Sequence, residues 1–246
     1  MAQERGWLLL TNDDGIEAVG LETLVKALHD EGYPVAVLAP SGNHSATGMR
    51  INLMKPMAYR PRDDLVERWG LNPHTTPVHL FELDGTPCDT MIVALDGGLN
   101  HLVPGVHPQM VVSGVNLGPN LSQDSYHSGT MGAAREAGLY GVPAIAASFT
   151  SFDPVGMERA VEATLDIVAA AAAVLPVKAG NLARPKGALE TTYFTTWPKQ
   201  SADEPWRDHP ERALLNAFCN GDLMLNINAP ASWNGSWATT RLGCLL

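Results

Sequence analysis

Two adjacent carboxylates, Asp13 and Asp14, stand directly after the apolar run Trp7 to Thr11, in the stretch WLLLTNDDG. Neighbouring carboxylates repel each other unless a cation or a hydrogen-bond network holds them. Hard divalent cations such as Mg²⁺ take carboxylate, amide and hydroxyl oxygens and keep several waters. The Ser45 hydroxyl, in PSGNHS, and the Asn116 amide oxygen, in SGVNLGPN, are further ligand types that such an ion wants. The plainer use of Asp13 and Asp14 is to cap the turn or helix that follows.

A second cluster, Ser128-Gly129-Thr130, precedes an Ala-rich helical segment. Small residues there let backbone N–H groups and two hydroxyls face an oxyanion, with the helix dipole adding to the attraction. The plainer use is an ordinary N-cap. A phosphate beside two carboxylates would be repelled unless a divalent cation lay between them and bound both. Carboxylate pair and anion cradle on one edge therefore point to metal-assisted phosphoryl chemistry, with a water oriented for in-line attack. His44 and His127 flank the clusters, and Asp84-Gly85-Thr86-Pro87 reads as a turn leading into a helix N-terminus. Trp197, Trp206, Trp233 and Trp237 read as packing residues rather than a base-stacking site. There is no P-loop, no GxSxG elbow and no cysteine in a nucleophile context.

These clusters need a scaffold that brings them together. Trp7 to Thr11, Val35 to Ala39, Val78 to Leu83, Met110 to Ser113 and Ala144 to Ser148 read as strands. Between them lie helical patterns. Leu21, Leu24, Val25 and Leu28 share a face that Gly32 can end; Cys88, Met91, Ile92, Leu95 and Leu99 form a stripe; Gly132 to Leu139 is a short helix. Alternating strands and helices with continuously apolar strands predict a doubly wound, mostly parallel α/β sheet with helices on both faces, a Rossmann-like arrangement. In such a sheet the strand carboxyl ends share one edge, where ligands bind. Three of those ends run into NDDG, PSGNHS and GVNLGPN. Asp153-Pro154 has the form of an N-cap and N1 proline, opening an Ala/Val-rich helix to about Leu175. Residues 178–213, rich in Pro and charge, read as an irregular insertion or β-excursion, and Leu223 to Ile227 as one more strand. The domain reading is residues 1–176 as the catalytic α/β unit, with 177–246 as an insertion and C-terminal strands completing it.

Composition bounds the partners. The 246 residues carry 16 Lys+Arg against 26 Asp+Glu, a net charge of −10, which argues against polymeric nucleic acid. Apolar residues at 45% and charged residues at 17% suit a globular core rather than disorder. The first residues hold only a four-residue apolar run, and Ile167 to Val177 falls far short of the roughly 20 residues a membrane helix needs. With three widely spaced cysteines, Cys88, Cys219 and Cys244, the expectation is a soluble, cytoplasmic protein without a membrane partner.

Taken together, LLLTNDDGIEAVGLETLVKAL, VAVLAPSGNHSATG, LDGTPCDTMIVAL, MVVSGVNLGPNL and HSGTMGAAREAGLYGVPAIAAS resemble the SurE survival proteins, nucleotidases acting on nucleoside monophosphates. The pieces run in the family's order over residues 7–148, with a weaker match at LMLNINAP and TTRLG. The resemblance implies Asp13, Asp14, Ser45 and Asn116 as ligands of a divalent metal, Mg²⁺ or Mn²⁺. It implies Asn120, Ser128, Gly129 and Thr130 as phosphate contacts, Asp13 and Asp14 as catalytic groups, and a homodimer or homotetramer. NDDG lacks the two aspartates separated by one residue that serve aspartyl-phosphate enzymes, so water is the expected nucleophile. Ser41-Gly42-Asn43-His44 stands where the family carries an Arg-rich segment, and His127 where an aromatic is common. The sequence stops at RLGCLL, where the family runs on into an arm that builds the oligomer. The alternative expectation is a nucleotide-binding or regulatory protein that keeps the site without turnover.

Overall fold

The run WLLLT has no polar alternation, and a strand of that kind must be covered on both sides. It forms β1 (Trp7–Thr11), with Leu8, Leu9 and Leu10 fully buried. The computed structural model describes residues 5–177 and 210–240. Six further strands follow: β2 (Val35–Pro40), β3 (Tyr59–Pro61), β4 (Val78–Leu83), β5 (Pro108–Leu117), β6 (Ala144–Phe149) and β7 (Met224–Ala229). They join β1 in one sheet of order β3-β4-β2-β1-β5-β6-β7. Every pairing is parallel except that of β3 with β4.

The winding is double. Leu8 and Leu10 share one apolar layer with Leu21, Leu24, Val25 and Leu28 of helix α1 (Val19–Asp30). Leu9, of opposite side-chain parity, lies in the other layer with Met91, Ala133 and Ala137. Burying each large aliphatic of the α1 stripe stabilises the fold by about 1.5–3 kcal/mol. The topology reverses at β1, with β2 on one side and β5 on the other, so the carboxyl ends of β1 and β5 make a switch-point crevice.

Several elements differ from the sequence reading. The stripe from Cys88 to Leu99 is not one helix. After α2 (Asp63–Arg68), helix α3 (Pro87–Val93) runs into a wide turn at Ala94–Gly98, then α4 (Leu99–Leu102). Asp96 and Gly97 break the helix, Gly97 at φ 101°. β5 continues past Ser113 to Leu117, because Asn116 and Leu117 pair with Ser148 and Phe149 after a register shift. After the short α5 (Asp124–His127), helix α6 (Gly129–Leu139) starts at the SGT cluster itself, with the Ser128 hydroxyl accepting from the Met131 N–H. The Ala-rich helix α7 (Glu158–Val174) starts later than Asp153-Pro154, since the Asp153 carboxylate accepts from Val155 N–H in a turn of its own. Helix α8 (Pro210–Cys219) begins in the last residues of the Pro- and charge-rich stretch 178–213, and the remainder of that stretch lies outside the described residues. β3 and α2 had no strong periodic signal. They are held by Arg62, whose guanidinium meets Glu17, Asp64 and Glu82.

Candidate functional site

The turn after β1 is closed by Asn12, whose side chain donates to Gly15 C=O at 2.8 Å and accepts from Gly15 N–H at 3.2 Å. That closure presents Asp13 and Asp14 at the crevice. Asp13 is 3% exposed, and its Oδ1 accepts from the Thr130 hydroxyl at 2.6 Å. A Cβ on Gly129 would lie 2.7 Å from the Asp13 Cβ and 3.0 Å from its Oδ2, so only glycine admits this approach of α6. The first turn of α6 and the carboxylate pair are therefore one site.

Burial pushes the Asp13 carboxyl above its ordinary range, against the Thr130 hydroxyl and the N–H groups of Thr130 and Gly129, which favour the charged form. The half-buried Asp14 is pushed up to about 6, first by burial and then by the charge of Asp13, while Leu117 N–H acts in the opposite sense. That N–H lies 3.5 Å from Asp14 Oδ2, tying β5 to the pair.

The PSGNHS segment comes over the same turn. His44 N–H donates to Asp13 C=O at 2.6 Å, and the Thr47 hydroxyl donates to His44 C=O at 2.7 Å. Ser45 follows His44 and is exposed, its N–H donating to Asn43 Oδ1. Asn116 spends its amide nitrogen on Gly118 C=O at 2.7 Å, and its Oδ1 is the acceptor end of the side chain. Asn120 is 5% exposed and held from three sides: its Nδ2 donates to Ser148 Oγ at 2.9 Å, its N–H donates to Asn228 Oδ1, and its C=O accepts from Asn226 Nδ2. His127 is exposed, and its carbonyl accepts from Gly48 N–H. Trp233 and Trp237 pair with each other, and Trp237 donates to Asp166 of α7; Trp197 and Trp206 lie outside the described residues.

The donors suit a hard cation. Asp13, Asp14, Ser45 and Asn116 offer oxygen alone, and among the described residues no group of three or more His, Cys, Asp and Glu forms a softer site. None of the ion pairs among the described residues uses Asp13 or Asp14. Both carboxyls are raised by burial, and Asp14 also by the charge of Asp13, a setting that a divalent ion would fit.

Some contributors were not singled out in the sequence. Thr47 places its hydroxyl 3.0 Å from where a Gly129 Cβ would be. Asp89 anchors the far half of the Ser45 loop, accepting from Asn52 N–H at 2.9 Å, Asn52 Nδ2 at 2.6 Å and Thr86 N–H at 2.8 Å. The alternating asparagines of LMLNINA, Asn226 and Asn228, were the one legible hint that a strand end serves Asn120.

A family model described as "Survival protein SurE" matches residues 8–244. Proteins named 5'-nucleotidase SurE are similar to this chain. The one from Desulfitobacterium hafniense (strain DSM 10664 / DCB-2) is 39% identical over 155 residues, 63% of this chain and 55% of the relative. The one from Anaeromyxobacter sp. (strain Fw109-5) is 40% identical over 147 residues, covering 60% and 50%. The one from Synechococcus elongatus is 36% identical over 161 residues, covering 65% and 57%. The chain thus spans about half the length of the curated relatives it matches. A crystal structure of the SurE protein from Aquifex aeolicus superposes with a TM-score of 0.55 at 30% identity, covering 68% of this chain and 60% of that one.

Proposed function

This chain belongs to the survival protein SurE family, and on that premise we propose that it hydrolyses nucleoside monophosphates to nucleoside and phosphate. The 5'-phosphate is the expected position, the 3'-phosphate a further one, and Mg²⁺ or Mn²⁺ the expected metal. The observation that supports this reading most is the 2.6 Å bond from Thr130 to Asp13, which joins the first turn of α6 to the carboxylate pair.

Asp13, Asp14, Ser45 and Asn116 would hold the cation through oxygen. When bound, it supplies Lewis-acid polarisation of the phosphoryl oxygens and a water of lowered pKa. Asp13, buried and fixed at Oδ1 by Thr130, holds its position; Asp14, the more exposed of the two, orients the attacking water and accepts its proton. Ser128, Gly129 and Thr130 at the start of α6 would meet the phosphoryl oxygens, and Asn120, held by Ser148 and Asn228, would contact them as well. The engagement of Asp13 Oδ1 favours water rather than this carboxylate as the nucleophile. Cytoplasmic residence and assembly as a homodimer or homotetramer belong to the same reading.

The test is phosphate release from 5'- and 3'-nucleoside monophosphates and an aryl phosphate, each with Mg²⁺, Mn²⁺ or EDTA, beside Asp13→Asn. Metal-dependent release that Asp13→Asn abolishes is the expected result. A folded protein that binds nucleotide but releases no phosphate with any metal would be a regulatory protein instead.

A further inference from the structure

We propose that Phe152 is the stacking platform on which the base of the nucleotide lies, an inference that rests on the nucleotidase reading above. Phe152 follows β6 at the carboxyl edge of the sheet and is 80% exposed. Its ring is not loose, because one side lies against Gly118. A Cβ at Gly118 would meet Phe152 Cε1 at 2.5 Å and Cδ1 at 3.0 Å, so the absence of that atom makes room for the ring. The carbonyl of the same glycine accepts from Asn116 Nδ2 at 2.7 Å. The ring therefore stands one hydrogen bond away from a residue of the candidate cation site.

The turn that carries the ring is tied down on both sides. Thr150 N–H donates to Ala229 C=O at 3.1 Å, Asp153 N–H to Ser151 Oγ at 3.0 Å, and Val155 N–H to Asp153 Oδ1 at 3.0 Å. A ring that rests against Gly118 on a hydrogen-bonded turn loses less freedom when a flat partner covers it than a ring on a free loop would. Heteroaromatic bases offer that partner, since each has a π-face and stacks without directional hydrogen bonds. The platform therefore favours nucleotides over phosphorylated sugars while tolerating different bases. Tyr126, 60% exposed and nearer to Ser128 in sequence, is engaged by the Arg135 guanidinium 5.8 Å from its ring centroid, which leaves Phe152 as the open face beside Asn116.

The experiment compares kcat/KM for AMP with that for ribose 5-phosphate in the wild type, Phe152→Ala and Phe152→Trp, each checked for molar mass by light scattering. Stacking on an aromatic side chain contributes about 5- to 100-fold per base. Phe152→Ala is therefore expected to lower the AMP preference roughly tenfold, chiefly through KM, and Phe152→Trp to keep it. A preference within twofold of wild type in Phe152→Ala overturns the inference, as does an equal loss on both substrates. An altered molar mass with unchanged preference also overturns it, assigning the ring to an interface between copies. If the wild type hydrolyses neither compound, the nucleotidase reading fails by itself. Equilibrium binding of AMP and ribose 5-phosphate then decides the stacking: an AMP preference lost in Phe152→Ala supports it, and no preference in the wild type overturns it.

Discussion

The hydroxyl of Thr130 donates to Oδ1 of Asp13 at 2.6 Å, linking the first turn of α6 to the end of β1 across 117 positions of sequence. Thr130 is fully buried, so no water replaces its hydroxyl when it is lost. A buried hydrogen bond to a charged group contributes about 1.5–3 kcal/mol. Thr130→Val keeps the shape and removes the donor. It is expected to lower metal-dependent phosphate release by about 10- to 100-fold, while Thr130→Ser retains most of it. Equal activity of Thr130→Val and wild type would separate this hydroxyl from the site.

The carboxylate pair makes the metal-free protein sensitive to pH. Asp14 titrates at an ordinary 3.8 when unfolded and is pushed up to about 6 when folded; Asp13 is raised in the same direction. The folded chain thus holds protons that the unfolded chain has released, so stability falls as pH rises from about 4 through about 6 and stays lower above it. Denaturant unfolding in EDTA at pH values from about 4 to about 7 reads this slope, which Asp14→Asn should reduce. Adding Mn²⁺ at pH 8 should raise the wild-type Tm and leave that of Asp14→Asn nearly unchanged.

Gly129→Ala separates helix propensity from site geometry. Exchanging glycine for alanine inside a helix ordinarily stabilises by about 0.5–1 kcal/mol. Here the new Cβ would stand 2.7 Å from the Asp13 Cβ and 3.0 Å from the Thr47 hydroxyl. The expected outcome is a loss of about 1–3 kcal/mol by chemical denaturation together with loss of the Mn²⁺-induced Tm shift. A gain in stability with intact metal response would refute the close approach.

Asp89 predicts a different signature. It accepts from Asn52 and Thr86 while the Thr86 hydroxyl donates to Arg50 C=O at 2.6 Å, pinning the segment that carries Ser45 to the start of α3. Asp89→Ala leaves the buried Thr86 N–H without its acceptor, at a cost of about 1–3 kcal/mol, and frees the part-buried Asn52 donors. Amide hydrogen exchange should accelerate over residues 48–52 and 86–90 before it does in β1 or β5. Uniform acceleration would show that Asp89 supports the whole fold and not this loop.

The Cys88 thiol is buried and pushed up to about 12, first by burial and then by Glu136 and Asp89, so it stays protonated near neutrality. With an alkylating reagent at pH 8, peptide mapping should find Cys219 modified well before Cys88.

Local pattern accounted for much of this molecule. The unbroken apolar runs of β1, β2 and β6 and the stripe of α1 are visible within windows of five to twelve residues, because burial on two faces or one stripe writes itself into neighbouring positions. From that alternation followed a mostly parallel, doubly wound sheet whose carboxyl edge collects NDDG, GNHS and GVNLGPN. Element boundaries were less legible where tertiary pairing overrides local signals. β5 runs on through Asn116 because β6 offers it partners, and the Cys88–Leu99 stripe breaks at Asp96 and Gly97 although its apolar spacing continues.

The sequence by itself determined which residue types could meet at that edge, since oxygen donors after strand ends carry their chemistry wherever the chain goes. Only the tertiary structure decided how they meet. That Thr130 serves Asp13, that Asn120 is gripped by Asn228 at a separation of 108, that Asp89 holds Asn52 at a separation of 37, and that Phe152 lies on Gly118 all depend on strand order and on loop approach. Such contacts join residues too far apart for any local periodicity to record, and they arise only once both apolar layers have packed and fixed the sheet.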